Sequence, residues 1–199
     1  MVSLFFITSI IFLVFGSYFH SFVKSKTLFD KISSLIYFTA SVVYAFIGLI
    51  YLNSPYSMIR TFRYLDWFIT VPLLLYQLYL FLDRRLKTQK DLILLIISSL
   101  GMLSFGLIGE LGYLNKILAN SLGSMFGAII FYIWFAKCKK EDINFFIAVS
   151  ILWLFYPIVY LIEESTLTLI LFSLVDTFAK VGTGIFIRKK KSINLKKLI

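Results

Sequence analysis

Lys180 stands four residues after Asp176 in a stretch that is otherwise almost wholly apolar, and an isolated amine in such a setting is chemically informative. On a helix the two side chains project from one face. A lysine kept from water favours its neutral amine, the form that condenses with an aldehyde to an imine. Snorkelling to an interface is the plainer use of a lysine there, but seven residues, Val181 to Ile187, separate it from Arg188. That is roughly 10 Å of helix, too far for the side chain to span. A second apolar stretch holds Arg63 and Asp66 on one helix face, and a third holds Glu110. Two acids, Asp66 and Asp176, and two bases, Arg63 and Lys180, could thus balance inside a low-dielectric interior, where charge is costly and usually marks function.

The elements that must position these groups are membrane helices. The chain has 199 residues, 60% of them hydrophobic, with a mean hydropathy of +0.91, too apolar for a soluble domain of this size. A bilayer crossing takes about 20 helical residues, so seven crossings with tight loops use nearly the whole chain. Apolar runs bounded by charges or turn residues predict an all-α bundle of seven transmembrane helices, A to G, at 3–23, 29–52, 58–82, 91–113, 116–138, 142–162 and 165–188. Fusing the last two would exceed what a bilayer holds. The first run lacks a basic start and a cleavage site and reads as helix A rather than a signal peptide. The expected organisation is one domain, 1–188, followed by a short basic tail, 189–199.

Charge placement tests the topology. The net charge of +10 does not form a nucleic-acid-binding stripe along one helix. Its carriers fall in alternate loops: Lys24, Lys26 and Lys31, then Arg84, Arg85, Lys87 and Lys90, then Lys137, Lys139 and Lys140, then Arg188 to Lys191 with Lys196 and Lys197. With seven crossings all four groups share one side, opposite Lys116, Glu163 and Glu164. The positive-inside rule then puts the N-terminus outside and the C-terminus in the cytoplasm, and makes the tail a lipid-surface cluster. The only cysteine, Cys138, excludes an internal disulfide. One histidine and one cysteine are too few for a His/Cys metal cluster, and no phosphate-loop or hydrolase signature appears. The chain does not read as an enzyme.

The segment Arg63-Tyr64-Leu65-Asp66-Trp67-Phe68-Ile69-Thr70-Val71-Pro72-Leu73-Leu74 resembles helix C of the microbial (type 1) rhodopsins, closest to the proteorhodopsin-like branch. Asp176-Thr177-Phe178-Ala179-Lys180-Val181-Gly182 resembles the helix G segment that bears the retinal lysine. Trp153, Tyr156, Pro157 and Tyr160 resemble the helix F wall of that pocket, and Gly106-Leu107-Ile108-Gly109-Glu110-Leu111-Gly112 resembles the end of helix D. The resemblance spans essentially the whole chain, weakly in helices A, B and E. It implies all-trans retinal held as a protonated Schiff base on Lys180, in a pocket of Trp67, Thr70, Leu74, Met102, Gly106, Trp153, Tyr156, Pro157 and Tyr160. Leu74 implies green absorption.

The resemblance further implies an outward proton pump. Asp66 would accept the proton released on isomerisation, Asp176 would share the counterion role, Thr70 would bond Asp66, and Arg63 would sense its charge from the extracellular side. Gln77 departs from the pattern: it occupies the position where related pumps commonly carry a carboxylate donor, and an amide cannot donate that proton. It lies eleven residues beyond Asp66, about 16 Å along the same face. A slow photocycle is the expected consequence, and a photosensor or a light-gated channel are the alternative readings. Gly48 stands where many proteorhodopsins have a histidine bonded to the counterion. His20 reads as interfacial, Glu163 and Glu164 as solvated acids or a proton-release group, and Glu110 as structural, interprotomer or catalytic. The lipid bilayer, protons or other small ions, and by family analogy further copies of the chain are the expected partners.

Overall fold

Thr27 and Thr88 each precede an apolar run with an aspartate three residues on, and both build a reciprocal cap at a helix start. Thr27 N and Oγ1 donate to Asp30 Oδ2 at 2.9 and 2.6 Å, and Thr88 N and Oγ1 donate to Asp91 Oδ2 at 2.6 and 2.9 Å. Asn115 opens another helix by accepting from the Ile117 amide at 2.9 Å. In the computed structural model, which describes residues 1–22, 27–53, 55–162 and 165–196, the helices are α1 (Val2–Ser17), α2 (Leu28–Ile50), α3 (Tyr56–Phe81), α4 (Gln89–Glu110), α5 (Lys116–Lys137), α6 (Ile143–Leu161) and α7 (Thr166–Lys196). There is no strand among the described residues. All seven helices are long and apolar enough to cross a membrane.

Three boundaries differ from the sequence expectation, each for a local reason. Helix A gives way at Tyr18–Phe22 to one turn of π-helix. Helix D was expected to reach 113, but α4 stops at Glu110: Gly112 turns left-handed at φ 77°, and the Tyr113 amide closes back on the Ile108 carbonyl at 3.1 Å. Helix G continues beyond 188, so the basic segment up to Lys196 extends α7. Lys24, Lys26, Glu163, Glu164 and Lys197 lie outside the described residues.

Successive helices pack as neighbours around the bundle, and α7 closes it against α1, α2, α3 and α6. At one end of the bundle the α3–α4 connection meets the end of α5, where Asp83 N donates to Lys137 O at 3.0 Å and Lys137 Nζ donates to Leu86 O at 2.9 Å. Lys87 also lies there, its amine donating to the last carbonyls of α3, Tyr79 and Leu80, at 2.9 and 3.0 Å. The outward surface is apolar: Val42, Leu49, Met125 and Phe178 are each more than 60% exposed, as suits a lipid solvent. Polar side chains turn inward instead, and Asp66, Thr70, Gln77, Asp176 and Lys180 are all buried. These polar groups sit within an interior that is otherwise apolar, built on residues such as Phe12, Ile47, Leu75 and Trp134.

Candidate functional site

The helical repeat places Asp176 and Lys180 one turn apart on the inner face of α7, opposite Asp66 of α3. Lys180 Nζ donates to Asp66 Oδ2 and, at 2.7 Å, to Asp176 Oδ2. The two carboxylates have different surroundings. Asp176 also accepts from Tyr44 at 3.2 Å, from the Trp67 indole at 3.1 Å and from Tyr156 at 3.0 Å, so donors from α2, α3 and α6 converge on it. Asp66 Oδ1 is buried with no hydrogen-bond partner among the described residues. Asp176 is therefore a saturated anion site, whereas Asp66 has an open oxygen on which a proton can settle. Thr70 Oγ1 donates to the main-chain carbonyl of Asp66 at 2.9 Å.

Arg63 lies beside this triad without touching either carboxylate. Its guanidinium donates to Tyr44 Oη at 3.0 Å, to Ser173 Oγ at 3.0 Å and to Leu169 O at 3.1 Å. Tyr44 accepts from Arg63 and donates to Asp176, and so couples the cation to the anion through one hydroxyl. Gln77 lies apart from these groups, its amide donating to Ser33 Oγ at 2.8 Å and to Phe29 O at 3.0 Å across to α2.

Trp67, Thr70, Leu74, Met102, Gly106, Trp153, Tyr156, Pro157, Tyr160 and Lys180, expected around one ligand, line a single cavity. Its lining is drawn from α3, α4, α5, α6 and α7, and includes Asp176, Ala179 and Lys180 on α7 and Ala119, Asn120, Gly123 and Ser124 on α5. Gly106 sets its width: a Cβ there would come within 2.6 Å of Tyr64 Oη. Pro72 and Pro157 lie inside α3 and α6, and each removes one backbone donor beside the cavity.

Sequence reasoning passed over three groups. Arg60 is buried one turn before Arg63, pairs with Glu110 and donates to Tyr160 O at 2.9 Å, tying α3, α4 and α6 together at their shared end. A charge inside the expected helix C was the available signal. Glu110 is thus held within this chain. Tyr44 and Tyr37 carried no signal, because tyrosines are ordinary in apolar helices. Gly48 faces α1, where an added Cβ would meet Phe6 at 3.3 Å and Phe5 at 3.4 Å, and it is Tyr44 that carries the α2 contact to the charged site. His20 is exposed and packs against Phe38.

Seven membrane-type helices around a buried lysine paired with two carboxylates define a class of membrane protein with an ionic centre inside the bundle. Comparison with known proteins identifies the class. The family model described as "Bacteriorhodopsin-like protein" matches residues 1–191, and the chain belongs to this family, the microbial (type 1) rhodopsins. A green-light absorbing proteorhodopsin from Gamma-proteobacterium EBAC31A08 is 36% identical over 81 residues, which span 40% of this chain and 32% of that relative. Among solved structures, the viral rhodopsin OLPVRII superposes with a TM-score of 0.84 at 22% identity, covering 94% of each chain. The proton pumping rhodopsin AR2 from the marine alga Acetabularia acetabulum gives 0.79 at 22% identity, covering 97% of this chain and 93% of that one. The protein is an integral membrane rhodopsin, and membership of the family implies a retinal chromophore. The residues present fit such a group. The cavity is lined by one buried lysine, Lys180, a side chain at Gly106 would collide with Tyr64 there, and Asp66 Oδ1 is buried beside the amine without a hydrogen-bond partner among the described residues.

Proposed function

We propose that this chain is a light-driven outward proton pump, with Lys180 as the residue that carries all-trans retinal covalently. Retinal bound to Lys180 supplies a light-driven isomerisation that changes the proton affinity of the nitrogen holding it. The chain's own residues do the rest. Trp67, Trp153, Tyr156 and Pro157 confine an elongated polyene, and Leu74 favours green absorption. Asp66 accepts the proton leaving Lys180 Nζ, and the difference between the two carboxylates carries this reading: one has an open oxygen and the other four donors. Asp176 stays ionised and keeps the site's charge balanced. Arg63, linked to Asp176 through Tyr44, responds to the loss of charge on Asp66.

By the positive-inside rule the end bearing Lys31, Lys87, Lys137 and Arg188 faces the cytoplasm, and Arg63 lies on the extracellular side of Lys180. Protons leave by the Arg63 end and must be replaced from the Gln77 end. A photosensory role is the second reading, favoured by Gln77: an amide bound to Ser33 and Phe29 in place of a carboxylate slows that replacement. Photocurrents recorded against voltage in cells given all-trans retinal test the proposal. A sustained outward current that keeps its sign is expected. A current that reverses with voltage would establish a channel, and a brief charge displacement alone would establish a sensor.

A further inference from the structure

The pump reading leaves one step without a residue, the return of a proton to Lys180 from the cytoplasmic side. No carboxylate stands on α3 at Gln77, but α2 carries a polar stripe facing the bundle at Asp30, Ser33 and Tyr37, spaced three and four residues apart on one helix face. All three are buried. Ser33 Oγ accepts from Gln77, and Tyr37 Oη donates to the main-chain carbonyl of Lys180 at 3.1 Å. On α7, one turn toward the cytoplasm from Lys180, Thr183 Oγ1 is buried with no partner among the described residues. Gly184 beside it keeps the groove open, since a Cβ there would overlap the Tyr37 hydroxyl. Buried hydroxyls of Ser33, Tyr37 and Thr183 thus lie between Asp30 near the start of α2 and the lysine, with Tyr37 bonded to the Lys180 main chain.

We propose that Asp30 is the uptake carboxylate of this chain, passing protons to Lys180 along Ser33, Tyr37 and Thr183 in place of a donor on α3. The inference rests on the pump reading. Both Thr27 bonds fall on Asp30 Oδ2, which leaves Oδ1 as the oxygen that takes a proton from the cytoplasmic solvent. That proton moves inward by hydroxyl exchange, each hydroxyl receiving one proton and releasing another, and ordered water bridges the gaps. At the end of the relay one proton has left the cytoplasm, one has reached Lys180 Nζ, and Asp30 is again a carboxylate. Gln77 orients the Ser33 hydroxyl by donating to it and carries no proton itself.

The obvious alternative is that Asp30 only caps α2. Asp30→Asn separates the two, because an asparagine oxygen can still accept from Thr27 but cannot hold a proton. The retinal-free variant is expected to melt at the wild-type temperature. With all-trans retinal added, flash photolysis should show reprotonation at Lys180 slowed on the order of a hundredfold. Azide, a small permeant acid, should restore it. Time-resolved infrared spectra of protein carrying 13C-labelled aspartate should show a carboxyl band that rises and decays during recovery in the wild type and is missing from the variant. Tyr37→Phe, which keeps the ring and removes the hydroxyl, should slow the same step even if Asp30→Asn fails to fold. Wild-type recovery in both variants, with light-driven proton uptake intact, would overturn the role of Asp30 and leave the pump reading standing. No proton uptake by the wild type itself would overturn both.

Discussion

Asp66 and Asp176 present the same functional group to the same lysine and differ in what else reaches them. Replacing each in turn should therefore give different phenotypes. Asp66→Asn is expected to form pigment with retinal and to lose light-driven acidification, measured with a pH electrode on illuminated cells. Asp176→Asn takes the anion from Tyr44, Trp67 and Tyr156 together, and should lower the yield of folded pigment as well. Arg60 supplies a test with no chromophore chemistry in it. Arg60→Ala leaves buried Glu110 with Lys116 Nζ, at 3.9 Å, as a weaker cationic neighbour and should cost about 3 kcal/mol of stability, the low end for breaking a buried pair, read from thermal denaturation. Replacing both Arg60 and Glu110 with apolar residues of similar volume should recover much of that loss. At this scale Asp66, Asp176 and Lys180 stood out in the sequence because charge in an apolar run is conspicuous, while Arg60 was passed over as the partner of Glu110. Tyr44 did not stand out, since only its position against Asp176 distinguishes it from any other aromatic side chain.

Helices inherit their limits from caps as well as from hydropathy. All seven were legible as apolar runs, but the end of α4 was not: Gly112 sits among residues apolar enough to continue a helix, and its positive φ ends it. The same blindness to three-dimensional approach hid the Tyr37–Gly184 contact, which joins residues far apart in sequence. Gly184→Ala should push the Tyr37 ring out of the α7 groove, seen as a changed tyrosine band in difference infrared spectra and as slower dark recovery. Gln77→Glu places a carboxylate within the α3 face that Asp66 occupies and should speed that recovery. It gives up the donor to Ser33, so α2 and α3 should be less firmly tied at that end, measured as faster amide hydrogen exchange.

The molecule as a whole must have one orientation in the bilayer, and its single cysteine can report it. Cys138 follows α5 at the basic end, free and partly buried. An impermeant thiol reagent should label inside-out vesicles and leave right-side-out vesicles unlabelled. Burial pushes the Cys138 thiol above its ordinary value, so the reactive thiolate is scarce near neutrality and labelling should accelerate as pH rises. The lysines and arginines alone yield an expected membrane orientation, because the translocation bias counts charges rather than contacts, and the labelling experiment is its test. The mutual placement of Asp30, Ser33, Gln77 and Tyr37 was not legible there, because it depends on how α2 and α3 are rotated against each other.

Lys180 is also a mechanical position. From it α7 runs to Lys196 without a proline or a break, roughly 24 Å of helix. Unlike α6, interrupted by Pro157, it has no joint in which a twist made at the lysine could dissipate. The far end of α7 is thus the pointer of a stiff lever whose fulcrum is the lysine itself. A tilt of a few degrees there would sweep the pointer by about an ångström or two.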